Sequence, residues 1–190
     1  MDTMTAGRAE REHRFRELFT AHHDAVLRFA LRRVSPAPAE DIAAETFLVA
    51  WRRLDDVPTR PGEALPWLYA VARHCLLNAQ RSDRRQEAVA VRIGDAFPEA
   101  HHLDVDLIAR QADLAAAWRR LSPTDQEVLA LALWEDLPSP QAARVLGISP
   151  TAYRLRLSRA RRALRRLLEP SSTPGPAALR AVPSLQENSR

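Results

Sequence analysis

The chain has 190 residues, 46% of them apolar, enough for one ordinary domain or two small ones. All 28 basic residues are arginine, yet the net charge is only +4, so basicity here is a local property of particular segments. Five glycines and few β-branched runs favour helices over sheet, and no apolar run approaches the roughly 20 residues that span a bilayer. The N-terminal stretch with Arg8, Glu10, Arg11 and Glu12 lacks a signal-peptide core, so a cytoplasmic protein is expected. A single cysteine, Cys75, excludes an intrachain disulfide and a cysteine-rich zinc site.

In chain order, residues 1–11 read as a disordered leader to a first domain covering 12–86. Its first helix is expected from Glu12 to Val34, with Phe15, Leu18, Phe19, His22, Val26, Phe29 and Ala30 as the apolar stripe. Ser35-Pro36-Ala37-Pro38 ends it, and a second helix opens near Ala39 and runs to about Leu54. Ile42, Thr46, Phe47, Val49, Ala50, Trp51 and Leu54 supply a broad buried side of that helix. Asp41, Glu45, Leu48 and Arg52 fall on one exposed stripe, and two carboxylates beside an outward leucine suit a protein interface. A proline-containing loop over 55–66 leads to a third helix from Trp67 to about Arg85. Cys75 lies among Val71, Ala72 and Ala79 there and reads as a core thiol.

Residues 87–112 carry Glu87, Asp95, Glu99, Asp104 and Asp106 against Arg92 and Arg110, the pattern of an acidic linker. A second helical domain is expected over 113–168. Its first helix covers Asp113–Leu121, and its second starts where Ser122-Pro123 combines a cap with a proline. Then comes a helix-turn-helix. Gly147 supplies the positive φ of the turn, Ser149 caps the next helix, and Pro150 occupies its first position. Between Ser139 and Leu168 stand eight arginines and no acid. Tyr153, Leu157, Ala160, Leu164 and Leu167 form one buried face, which leaves the arginines outside.

Nucleic acid is the expected partner of that helix. In such a motif the N-terminal residues of the second helix meet base edges and later ones meet phosphates. This ordering gives Thr151, Arg154, Leu155, Ser158 and Arg159 to base readout, and Arg156, Arg161, Arg162, Arg165 and Arg166 to positioning. One motif buries only about 600 to 1,000 Å² and needs a second attachment. Residues 169–190, opening with Pro170-Ser171-Ser172-Thr173-Pro174, read as a disordered tail.

The segments Phe15-x-x-Leu18-Phe19, Asp41-Ile42-x-x-Glu45-Thr46-Phe47-x-x-Ala50-Trp51 and Trp67-Leu68-Tyr69-x-x-Ala72-Arg73 are followed by Leu121-Ser122-Pro123, Val145-Leu146-Gly147-Ile148-Ser149 and Arg154-x-Arg156-Leu157-x-Arg159-Ala160. In that order and spacing the chain strongly resembles bacterial RNA polymerase sigma factors of the extracytoplasmic-function type, over about residues 12–168. The resemblance implies an all-α protein of two small helical domains, sigma domain two and sigma domain four, joined by a flexible acidic linker. It implies binding to core polymerase through the largest-subunit clamp helices and the flap, with Asp41, Glu45, Leu48 and Arg52 as the contact residues of the first domain. Sigma domain four then reads the minus-thirty-five promoter element. Sigma domain two melts the minus-ten element, with Arg73, His74, Asn78, Arg81, Arg84 and Arg85 as candidates. Trp67 and Tyr69 are either stacking platforms for unpaired bases or core residues. The linker either mimics nucleic acid in a basic channel or is simply solvated.

The resemblance further implies promoter DNA and an anti-sigma factor or other regulator as partners, a monomer when free, and no cofactor, metal or catalytic residue. His74 stands where the family commonly has asparagine. Pro138, Ser139 and Pro140 replace a Ser-Tyr-Ala-like helix start, and Ala152-Tyr153 replaces Thr-Val. Two rivals are weighed beside it. A dimeric one-component regulator explains the second domain but leaves the Asp41 stripe without a task. A metal enzyme built on His22-His23 and His101-His102 is disfavoured, because adjacent residues on a helix point about 100° apart.

Overall fold

The computed structural model describes residues 2–82 and 105–169. Among these residues the protein is all helical: α1 (Asp2–Leu31), α2 (Pro36–Arg52), a 3₁₀ turn (Leu54–Asp56), α3 (Ala64–Ser82), α4 (Val105–Arg119), α5 (Pro123–Leu133), α6 (Ser139–Leu146) and α7 (Pro150–Leu168). Helices α1, α2 and α3 pack mutually, as do α5, α6 and α7, with α4 laid on α7, and α3 also packs on α6.

The first core forms because three helices each present a long apolar stripe. Val26, Phe29, Ala30, Ile42, Phe47, Ala50, Leu68, Ala72 and Leu76 are all buried, with Phe29 stacked on Tyr69 at 4.7 Å between ring centroids. Cys75 is buried among them, and burial pushes its thiol pKa up, as suits a core residue. In the second unit Trp118, Val128, Leu129, Leu131, Val145, Tyr153, Leu157 and Ala160 close the core. Gln126 donates through Nε2 to Trp118 O at 2.8 Å, satisfying a carbonyl at the end of α4.

Several helix starts differ from the sequence expectation, each for a local reason. Helix α1 extends back to Asp2 rather than opening at Glu12. Arg8 pairs with Glu12 at 2.9 Å one turn away, and Arg11 donates to Trp51 O at 2.7 Å, so this stretch has both helical and tertiary partners. Helix α2 opens at Pro36, and α3 starts at Ala64 with Pro66 in its first turn. The prolines read as breakers occupy first-turn positions, where no intrahelical N–H bond is lost. Helix α4 begins at Val105, inside the segment read as linker. The remainder of that segment and the tail from 170 lie outside the described residues.

Candidate functional site: a cationic helix and an acidic stripe

The turn between α6 and α7 has the predicted chemistry. Gly147 takes φ 65° and ψ 33°, the left-handed conformation that closes α6, and the Ser149 hydroxyl accepts from Ala152 N at 3.1 Å to cap α7. Pro138 precedes α6 and Pro140 lies in its first turn, so the departure at this helix start preserves the fold. Tyr153 is fully buried, and its hydroxyl donates to Val128 O at 3.1 Å, which fixes the roll of α7 against α5. Burial raises that phenol to a pKa of about 12, so it remains a donor at neutral pH.

With the roll fixed, Arg154, Arg156, Arg159, Arg161, Arg162, Arg165 and Arg166 are all exposed, as are Thr151, Leu155 and Ser158. Arg154 also donates to Thr151 Oγ1 at 3.2 Å. The arginines have no acidic partner within α7, so their charges form one continuous positive face.

On α2, Asp41, Glu45, Leu48 and Arg52 are exposed together as the spacing requires, with Leu48 47% accessible. Beside this helix lies a feature the stripe did not announce. Phe15, Phe19 and Trp51 line a groove of about 480 Å³ with Glu12 and Arg16 at its edge. The signal was present, since Phe15 and Phe19 are one helical turn apart. The spacing puts both on the apolar stripe of α1, but Phe19 is 40% exposed.

The α3 candidates divide. His74 and Asn78 are exposed. Trp67 is partly buried against the core with the Arg53 guanidinium 5.9 Å from its ring centroid. Tyr69 is buried, its hydroxyl bonded to Glu135, and burial raises its pKa strongly. Arg73 makes a bidentate pair with Glu127, Nε to Oε1 at 2.7 Å and Nη2 to Oε2 at 3.2 Å. Arg81 belongs to α3, its side chain outside the described residues, as are Arg84 and Arg85 entirely.

The histidines named for the metal alternative do not gather. His23 packs on Phe19 with ring centroids 4.7 Å apart, His22 is partly buried with its imidazole pKa lowered by burial, and His101 and His102 lie outside the described residues. Among the described residues no group of three or more His, Cys, Asp or Glu is placed to hold a metal ion. No helix among them is long and apolar enough to cross a membrane.

Comparison with known proteins finds a family match for each helical unit. Residues 18–86 match the Sigma-70 region 2 family, and residues 111–164 match Sigma-70, region 4. The chain is 31% identical to the ECF RNA polymerase sigma factor SigL of Mycobacterium tuberculosis over 81% of its own length and 88% of that protein's. It is 32% identical to the ECF RNA polymerase sigma factor BldN of Streptomyces coelicolor, covering 88% of this chain and 65% of the relative. Its fold matches CnrH, solved in complex with the cytosolic domain of CnrY, with a TM-score of 0.56 and 26% identity over 83% of this chain and 89% of that one. The chain therefore belongs to the extracytoplasmic-function RNA polymerase sigma factors, transcription initiation factors that direct the polymerase to promoters.

Proposed function

We propose that this sigma factor divides its work by domain. Residues 12–86 hold core polymerase and the melted minus-ten strand, and residues 113–168 read the minus-thirty-five duplex. The observation that carries the reading is the α7 face, where seven arginines stand exposed on a helix whose opposite side is locked by Tyr153, Leu157 and Ala160. Arg154 and Arg159, near the start of that helix, suit the paired acceptors of guanine, and Leu155 suits a thymine methyl. Arg156, Arg161 and Arg162 suit phosphates.

Asp41, Glu45, Leu48 and Arg52 form the polymerase contact in this reading, and the apolar Phe15–Phe19–Trp51 groove extends it. His74, Asn78, Arg81, Arg84 and Arg85 supply the minus-ten contacts, joined by Trp67, Tyr69 and Arg73. The chain works in the cytoplasm, where core polymerase is, and contributes no catalytic residue. An anti-sigma factor or other regulator restrains it, a reading supported by the similar CnrH having been solved in complex with the cytosolic domain of a second protein, CnrY.

Run-off transcription with purified core polymerase on promoter libraries tests this. Specific initiation is expected from the wild-type chain. The double reversal Asp41→Arg, Glu45→Arg should abolish it together with co-purification of polymerase, while thermal stability and duplex DNA binding stay unchanged. Full initiation by that variant would remove α2 from the interface.

A further inference from the structure

Residues 2–17 of α1 precede the segment that matches Sigma-70 region 2, yet two of their arginines bond to backbone far along the chain. Arg11 and Arg14 stand three positions apart and so share one face of the helix. Arg11 donates through Nη2 to Trp51 O at 2.7 Å and through Nη1 to Asp55 Oδ2 at 3.4 Å. Its guanidinium also lies over the Trp51 ring, 5.2 Å from the centroid. Arg14 donates through Nη2 to Val57 O at 3.1 Å. The two backbone bonds therefore fall on either side of the 3₁₀ turn Leu54–Asp56.

We propose that Arg11 is a positioning residue for the polymerase-contact face of α2. This role rests on the assignment of α2 to core polymerase proposed above. The last carbonyls of a helix have no partner within it. Arg53 N takes Val49 O at 2.9 Å and Arg11 takes Trp51 O, so a cation from another helix closes the negative end of α2. Leu48 and Arg52 stand exposed on the last turns of α2. Trp51 between them lines the apolar groove, where Phe15 meets its ring edge-on at 5.2 Å between centroids. Arg11 thus holds the Trp51 peptide by a hydrogen bond and the Trp51 ring by its charge. Without it the end of α2 frays more easily, and Leu48, Trp51 and Arg52 lose their shared geometry. Arg14 bonds backbone beyond the turn, outside α2, so it anchors the loop and leaves the stripe alone.

The Arg11 side chain is 36% exposed, so truncating it opens no cavity in the core. Anisotropy of the labelled full-length chain, titrated with purified core polymerase, would measure its part in binding. Arg11→Ala should weaken polymerase binding several-fold, leaving the melting temperature and duplex DNA binding nearly unchanged. Arg11→Lys, which keeps a cation able to reach Trp51 O, should recover most of the loss. Arg14→Ala removes a bond of the same kind and should leave polymerase binding as it was. Arg11→Ala combined with Leu48→Ala should weaken binding by less than the product of the two single losses, since both act through one turn of α2.

Undiminished polymerase binding by Arg11→Ala would overturn the positioning role. An equal loss from Arg14→Ala would report a general loosening of α1 and overturn it too. Losses that simply multiply in the Arg11–Leu48 pair would mean that Arg11 acts independently of the stripe, again against the proposal. Retention of polymerase by the Asp41→Arg, Glu45→Arg reversal would instead remove α2 from the interface, so failure of that reading is distinct from failure of the Arg11 brace.

Discussion

Arg33 is the residue whose environment is hardest to justify by stability. Its side chain is fully buried at the end of α1, with Nη1 donating to Phe29 O at 2.7 Å and the guanidinium 3.5 Å from the Phe29 ring centroid, while Nε and Nη2 have no hydrogen-bond partner. Burial outweighs the attraction of Glu135 and lowers its pKa to about 10. The sign follows directly. Unfolded arginine keeps its proton to higher pH, so at neutral pH burying the charged form opposes folding, and that penalty is relieved only as pH rises above about 10. Arg33→Met should therefore leave the melting temperature unchanged or raise it, because Glu135 retains Arg32 as its partner. Glu135→Gln removes the anionic partner of the buried Arg33 and the part-buried Arg32 and should cost about 3 kcal/mol. Calorimetry of both full-length variants checks the pair, and a large loss in Arg33→Met would mean that its bond to Phe29 O outweighs its desolvation.

At the level of elements, α7 shows how a cap and a buried face govern which way charge points. Ser149→Ala removes the acceptor for Ala152 N and should destabilise the protein by about 1 kcal/mol, with duplex binding at low temperature changed little. Urea denaturation and anisotropy on the same sample separate the two effects. An equal loss of DNA affinity in fully folded protein would place Ser149 in the interface itself.

This element was legible in sequence because its signals are local: Gly147 at the turn, Ser149 at the cap, and apolar residues at helical spacing. The α2 stripe was legible for the same reason. Helix α1 was not, since its first turns are held by Arg11 reaching Trp51 and Asp55, some 40 positions away. The roles of Tyr69 and Arg73 were equally hidden. Spacing gave their face on α3, but the carboxylates that hold them come from α5 and the residues just after it, and nothing in a helical repeat encodes that approach. Glu127 carried no sign either, since it closes the polar run Thr124-Asp125-Gln126-Glu127 ahead of Val128-Leu129-Ala130-Leu131.

The whole molecule joins these pieces through a clasp whose outer edge is acid-sensitive. The Glu63 carboxyl is held below its ordinary pKa, first by its bond with Arg144 and then by Gln141, with the charges of Arg144 and Arg60 acting in the same direction. A carboxylate depressed in the docked state contributes to docking above its undocked pKa, and loses that contribution as pH falls through the depressed value. Docking should therefore weaken as pH drops below the ordinary glutamate range of about 4.3. Scattering across this range, with circular dichroism on the same samples, would detect expansion before helicity falls.

Glu63→Gln should start more open at neutral pH and show a shallower response to acid, since its amide neither titrates nor pairs ionically with Arg144. Coincident profiles for the wild type and Glu63→Gln would show that the edge pair contributes nothing to closure, leaving the Glu127 and Glu135 pairs to hold the domains together. A profile in which expansion and helix loss coincide in both proteins would instead mean that the domains unfold as one unit, with no separable docking step for Glu63 to control.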